Sequence, residues 1–196
     1  MIFIEKPTLK KQEILNNKEE GTMEKKIKKI YNVLTRKEIY RNVPIDQDVP
    51  YAGGAMITET DLEGIITYAS RDFVKISGYA REELIGSPHS IMRHPDMPKG
   101  LFRGLWKTIQ EKKVWRGYVK NLRKDGKYFW ALAYIQPRLN DNDEIIGYVA
   151  SRKEAYPQPL AEVTKKYREL FDDRFIDDPY FLKGELYHGE GIATRG

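Results

Sequence analysis

The stretch 114–137, VWRGYVKNLRKDGKYFWALAYIQP, decides the fold class. Two runs rich in β-branched and aromatic residues, Val114–Arg123 and Lys127–Pro137, flank Lys124-Asp125-Gly126. Asp-Gly between such runs is a strong hairpin signal, because glycine supplies the positive φ that a tight turn needs. Downstream, Asn140-Asp141-Asn142-Asp143 reads as a second turn leading into a third strand, Glu144–Lys153. Upstream, Ile57–Thr60 and Ile65–Ala69 flank Asp61–Gly64 as another hairpin. Between the two strand groups, Arg71–Ser77 reads as a short helix stopped by Gly78, and Arg81–Leu84 as one stopped by Gly86. Pro88, Pro95 and Pro98 keep the next segment irregular. From Pro98 to about Lys113, Leu101, Phe102, Leu105, Trp106 and Ile109 fall on one helical face. Two strands, short helices, then three antiparallel strands describe an α+β domain with a single antiparallel sheet and its helices gathered on one face.

That domain occupies residues 55–155 of a 196-residue chain. Residues 1–22 carry little periodic signal, and Met23 offers a second possible start. Over 23–41, Ile27, Ile30, Tyr31 and Leu34 stand at helical spacing opposite lysines, which predicts a basic amphipathic helix. Such a helix packs on its own domain, on a partner, or on anionic lipid. Residues 42–54, NVPIDQDVPYAGG, read as a linker. Over 156–196, Leu160, Val163, Tyr167 and Leu170 predict a C-terminal helix, followed by an acidic, turn-rich tail.

The formal charge of +5 invites a nucleic-acid reading, but its position argues otherwise. Residues 1–41 hold 11 of the 34 basic and 6 of the 29 acidic side chains, so the remainder is balanced at 23 of each. There is no cysteine, which removes disulfide scaffolds, thiolate metal sites, cysteine nucleophiles and cysteinyl-adduct photochemistry. The longest charge-free stretches, Val49–Thr58 and Tyr128–Pro137, are 10 residues each, half of the roughly 20 needed to span a bilayer as helix. No metalloprotease, phosphate-loop or nucleophile-elbow motif is present, and Gly189-Glu-Gly191 lacks the third glycine of a dinucleotide loop. The chain therefore reads as a non-enzyme.

Strand alternation places Trp115, Gly117, Val119 and Asn121 on one face, with Gly117 leaving a notch deep enough for a flat ring. Tyr128, Trp130, Leu132 and Tyr134 share a face of the next strand, so that Trp130 joins the candidate ring contacts. The competing reading is that these aromatics fill the core. Arg93 and His94, just before a helix, suit an anionic group, with Asp96 orienting one of them. Alternatively the loop is stapled by its own Arg–Asp and His–carbonyl bonds.

Three segments taken together resemble a PAS domain: Thr58-Glu-Thr-Asp-Leu-Glu-Gly-Ile-Ile-Thr-Tyr-Ala69, Phe73-Val-Lys-Ile-Ser-Gly-Tyr79 and Gly117…Asn121-Leu-Arg-Lys-Asp-Gly-Lys-Tyr-Phe-Trp130. The segment Pro88-His-Ser-Ile-Met-Arg-His-Pro-Asp-Met-Pro98 narrows this to the flavin-binding PAS domains of bacterial aerotaxis receptors. The resemblance implies a PAS fold flanked by N- and C-terminal helices, and a cleft holding FAD noncovalently whose redox state reports to the chemotaxis machinery. Carried over residue by residue, it points to His89, Arg93, His94, Asp96, Phe102, Trp106, Trp115 and Asn121 as cofactor contacts. Ser70 stands where the family commonly has asparagine, which shortens any contact there. Asn121 is the expected switch, because an amide can donate or accept by rotating. Because the sequence shows neither the transmembrane nor the signalling segments into which the family's membrane receptors continue, the expectation is a cytoplasmic protein acting in trans on a methyl-accepting chemotaxis-type receptor at the membrane, with a homodimer as a further arrangement. Two alternatives stay open: a cofactor-free PAS interaction module, and a haem-binding gas sensor using His89 or His94 as axial ligand.

Overall fold

Period-two burial and tight turns lay out one antiparallel sheet. The computed structural model describes residues 28–169. Its strands are β1 (Lys28–Asn32), β2 (Lys37–Arg41), β3 (Met56–Thr60), β4 (Ile66–Ala69), β5 (Trp115–Leu122), β6 (Tyr128–Leu139) and β7 (Ile145–Glu154). Its helices are α1 (Arg71–Ser77), α2 (Arg81–Leu84), α3 (Lys99–Gln110) and α4 (Pro157–Glu169), with a 3-10 turn at His89–Met92. The main sheet has the order β4-β3-β7-β6-β5, and β1 pairs with β2 apart from it. Gly126, at φ +90, closes the β5–β6 hairpin as the Asp-Gly signal requires. Gly78, at φ +73, ends α1 by returning its N–H to Val74 O.

Register fixes which residues share a face. Val119 pairs with Ala131, Asn121 with Phe129 and Gly117 with Ala133. Ala133 pairs in turn with Arg152, Ile135 with Ala150, and Met56 with Arg152. These residues form the inner face, which α3 covers with Leu101, Leu105 and Ile109 buried. Lys120 pairs with Trp130 and Tyr118 with Leu132, so those four belong to the outer face. There α4 packs: the Tyr167 ring stacks on Trp130 at 6.3 Å, and its hydroxyl donates to Tyr118 O at 2.7 Å.

The expected N-terminal helix is instead the β1–β2 hairpin. Ile30 and Ile39 are cross-strand partners and both are buried, while Tyr31, Glu38 and Tyr40 point to solvent. Residues 23–27 of that expected helix lie outside the described residues, as do 1–22, Leu170 and the acidic tail. The 42–54 segment is irregular, as a linker should be, yet Tyr51 enters the core and Asp48 bridges Tyr128.

Candidate functional site

A cavity of about 220 Å³ lies between the inner face of the sheet and α3. Val119, Ile135, Tyr148 and Ala150 form its sheet wall, and Phe102, Leu105, Trp106 and Ile109 its helical wall. Trp106 meets Tyr148 edge-on at 5.3 Å. Gly64, at φ +79, lets the β3–β4 turn close over that indole: a Cβ there would stand 3.3 Å from the Trp106 ring.

One end of the cavity is polar. Arg152 enters it from β7 and is only 3% exposed. Its Nη1 donates to Thr58 Oγ1 at 2.9 Å and its Nη2 to His89 Nε2 at 2.9 Å. The guanidinium also lies 5.1 Å from the Phe73 ring centroid. Accepting from arginine fixes the His89 tautomer, since Nε2 must present its lone pair. Burial and the Arg152 charge hold the imidazole neutral, its pKa pushed down to about 3. Burial lowers Arg152 to about 10, which leaves it charged at neutral pH. Asn121, 3% exposed, faces the same cavity, and its Nδ2 donates to Val119 O at 3.1 Å.

Arg93 guards the other side. Its guanidinium lies 4.0 Å from the Phe102 ring centroid, and its backbone bridges Asn121. Burial and neighbouring Arg41 lower its pKa. Arg93, Phe102 and Trp106 also line an outer groove, which continues along α3 past Lys99, Arg103 and Lys107.

The expected site residues therefore separate. His89, Arg93, Phe102, Trp106 and Asn121 converge on the cavity. Ser70 does not line it: its Oγ accepts from Phe73 N at 3.3 Å and Ile57 N at 3.0 Å, capping α1 and tying it to β3. His94 is buried beside Tyr128, its ring edge-on at 5.7 Å, and its Nδ1 accepts from Asp96 N at 3.2 Å. Asp96 Oδ2 also lies 3.4 Å from that nitrogen, but burial and Lys120 push the His94 pKa to about 4, so the ring is neutral there. The ionic partner of Asp96 is Lys120, at 2.7 Å. The Gly117 notch is filled by the chain itself, since a Cβ there would stand 2.6 Å from the Trp115 ring. Trp115 is thus a core residue, and among the described residues its indole N–H has no hydrogen-bond partner. Trp130 faces away from the cavity toward Tyr167, because the register places Phe129 and Ala131 inward instead. Sequence reasoning missed Arg152 and Thr58, although inward alternation with Tyr148 and Ala150 marked the arginine.

Residues 66–152 match the family model described as the PAS fold. They are a PAS domain. The chain is 38% identical over 130 residues to the aerotaxis receptor of Escherichia coli K12, an alignment covering 66% of this chain and 24% of the receptor. It is 28% identical over 98 residues to a nitrogen fixation regulatory protein of Klebsiella pneumoniae, covering 50% of this chain and 20% of that protein. The chain thus spans about a quarter or less of these relatives. Among solved structures, the light-state blue-light photoreceptor Aureochrome1 LOV superposes with a TM-score of 0.50 at 22% identity, covering 59% of this chain and 90% of that one. A light-oxygen-voltage domain studied with a flavin analogue gives a TM-score of 0.50 at 22% identity, covering 59% and 85%. These two likenesses bear on the fold. Among the described residues no helix is long and apolar enough to cross a membrane.

Proposed function

We propose that this PAS domain binds a flavin noncovalently, as FAD, and passes its redox state by protein contact to chemotaxis signalling. The observation that carries the reading is the cavity's division into apolar walls and one polar end, with Arg152 and Asn121 at the same buried site. A flat ring system with hydrogen-bonding atoms along one edge fits that division. At about 220 Å³ the cavity is smaller than the roughly 300–1,000 Å³ of pockets that enclose a whole drug-sized ligand. It therefore takes a ring head, with the remainder of a dinucleotide leaving past Arg93 into the groove lined by Lys99, Arg103 and Lys107, where cations suit a pyrophosphate. The 38% identity to a protein named an aerotaxis receptor supports the output.

When bound, the flavin supplies reversible electron and proton uptake. The chain's residues do the rest. Phe102, Leu105, Trp106 and Tyr148 exclude water from the ring site. Arg152, Thr58 and Asn121 hold and orient the polar edge, and Arg93 meets the anionic tail. Asn121 holds Val119 O from the inner face while Tyr167 holds the adjacent carbonyl, Tyr118 O, from the outer face. Reorientation of one amide thus bears on the strand that seats α4, which is a route from cavity to output. The haem reading is disfavoured because His89 Nε2 is engaged by Arg152 and His94 is not in the cavity wall.

The test is the visible spectrum of the purified chain, with reconstitution by FAD. Two moderate flavin bands that stay with the protein on gel filtration are expected. A protein that remains colourless after reconstitution rejects the reading in favour of an interaction module, and one intense band in its place marks haem.

A further inference from the structure

A buried arginine normally has a carboxylate beside it, and Arg152 has none among the described residues. The groups facing it are Thr58 from β3, neutral His89 from the 3-10 turn and the Phe73 ring from α1. The cavity's other charged or titratable lining groups are Arg93, which is also cationic, Tyr148, and Glu63, which is exposed at the rim. Thr58 and His89 take two of the five N–H groups of the guanidinium, and the side chain still lines the cavity. The fold therefore keeps an uncompensated positive charge pointed at its own binding site.

Resting on the flavin reading, we propose that Arg152 is the counter-charge for the reduced ring. The carbonyl-bearing end of the flavin enters the Arg152 end of the cavity, and the domain binds the reduced, anionic ring more tightly than the oxidised one. Reduction of a flavin by two electrons with uptake of one proton at its central nitrogen leaves a negative charge spread over the carbonyl-bearing ring. The electrons come from a soluble electron donor and the proton from solvent. A second proton would neutralise that charge, and neither neighbour supplies it. Arg152 stays protonated at neutral pH, and His89 presents a lone pair rather than an N–H at Nε2. The site thus meets the anion with a fixed charge and no acid, which selects the reduced state and raises the reduction potential.

The full chain loaded with FAD is titrated with a reductant against a reference dye, for the unmutated protein, Arg152→Lys and Arg152→Gln. Arg152→Gln is expected to lower the preference for reduced over oxidised flavin about tenfold or more, the range for one nearby opposite charge, while Arg152→Lys retains most of it. The reduced-state absorption of the unmutated protein is expected to stay that of the anion from mildly alkaline to mildly acidic buffer. That measurement needs no variant. An unchanged potential in Arg152→Gln, or a reduced ring that becomes neutral in the unmutated protein near pH 7, overturns the proposal while leaving flavin binding intact. Equal loss of oxidised and reduced flavin in both variants also overturns it, because uniform loss marks a residue that shapes the cavity. An unmutated chain that takes up no flavin rejects the reading beneath it.

Discussion

Two imidazoles, His89 and His94, are kept neutral by burial next to cations, one beside Arg152 and the other near Lys120. Their folded pKa values, about 3 and about 4, lie below the ordinary 6.5. The unfolded chain therefore binds more protons than the folded one at acid pH. Stability is full above pH 6.5 and falls on acidification, down to about 4 for His94 and about 3 for His89, by up to about 1.4 kcal/mol per pH unit for each. Urea midpoints measured between about pH 6 and 4 should decline steeply, and His89→Gln, which can still accept from Arg152, should remove about half of that decline. Midpoints that do not change with pH there would show rings already charged in the fold. At this scale the sequence was readable where chemistry was local. Arg93, just before a helix, was legible from local chemistry, while the family resemblance pointed to His89 and Phe102, and all three line the same cavity. Arg152 sits 63 residues from His89 inside Ser-Arg-Lys-Glu, which reads as a solvated strand end until the pairing of β7 with β6 and β3 is known. Ser70 shows the converse: a short polar residue before a helix satisfies the helix's own amide first.

The β1–β2 hairpin is the element that sequence periodicity misassigned, and the reason is a single asparagine. Ile27, Ile30, Tyr31 and Leu34 stand at helical spacing, so local periodicity favours a helix. The choice is made fifty residues away. Asn32 Nδ2 donates to Ile85 O at 2.8 Å and lies 3.1 Å from Ser87 Oγ, and its Oδ1 accepts from Leu34 N and Thr35 N. Gly86 admits this contact: it has φ +86, and a Cβ would stand 2.6 Å from Asn32 Oδ1. Arg41 adds a bond to Ser90 O at 3.2 Å, so the hairpin grips the segment leading into His89 and Arg93. Asn32→Ala leaves buried backbone groups without partners and should cost about 1–3 kcal/mol in chemical denaturation. Tyr31→Ala, on the exposed face of the same strand, should stay within about 0.5 kcal/mol. Equal effects from the two would mean that the hairpin is not held through its asparagine. By contrast, β5, β6 and their Asp125-Gly126 turn were legible because turn chemistry and alternation agree there without tertiary help.

On the scale of the whole molecule, the sheet touches both the cavity and α4, which makes it a route for a signal between them. Its inner face carries Asn121 and Arg152, its outer face Trp130 and Tyr118, and α4 rests on the latter through Tyr167. Face assignment follows from register, and register follows from pairings between residues far apart in sequence, which is why Trp130 was expected in the cleft and lies behind it. The same fact makes the coupling measurable. Amide exchange over residues 157–169 of the FAD-loaded chain should differ between oxidised and reduced states. Asn121→Ala should keep the flavin and lose most of that difference, since the Val119 carbonyl is then no longer held from the cavity side. Tyr167→Phe keeps the ring stack on Trp130 but removes the bond to Tyr118 O, at a cost of about 0.5–1.5 kcal/mol. It should therefore raise exchange in α4 in both states alike. A redox difference that survives Asn121→Ala unchanged would place the path to α4 on another strand, with β7 and Arg152 next to be tested.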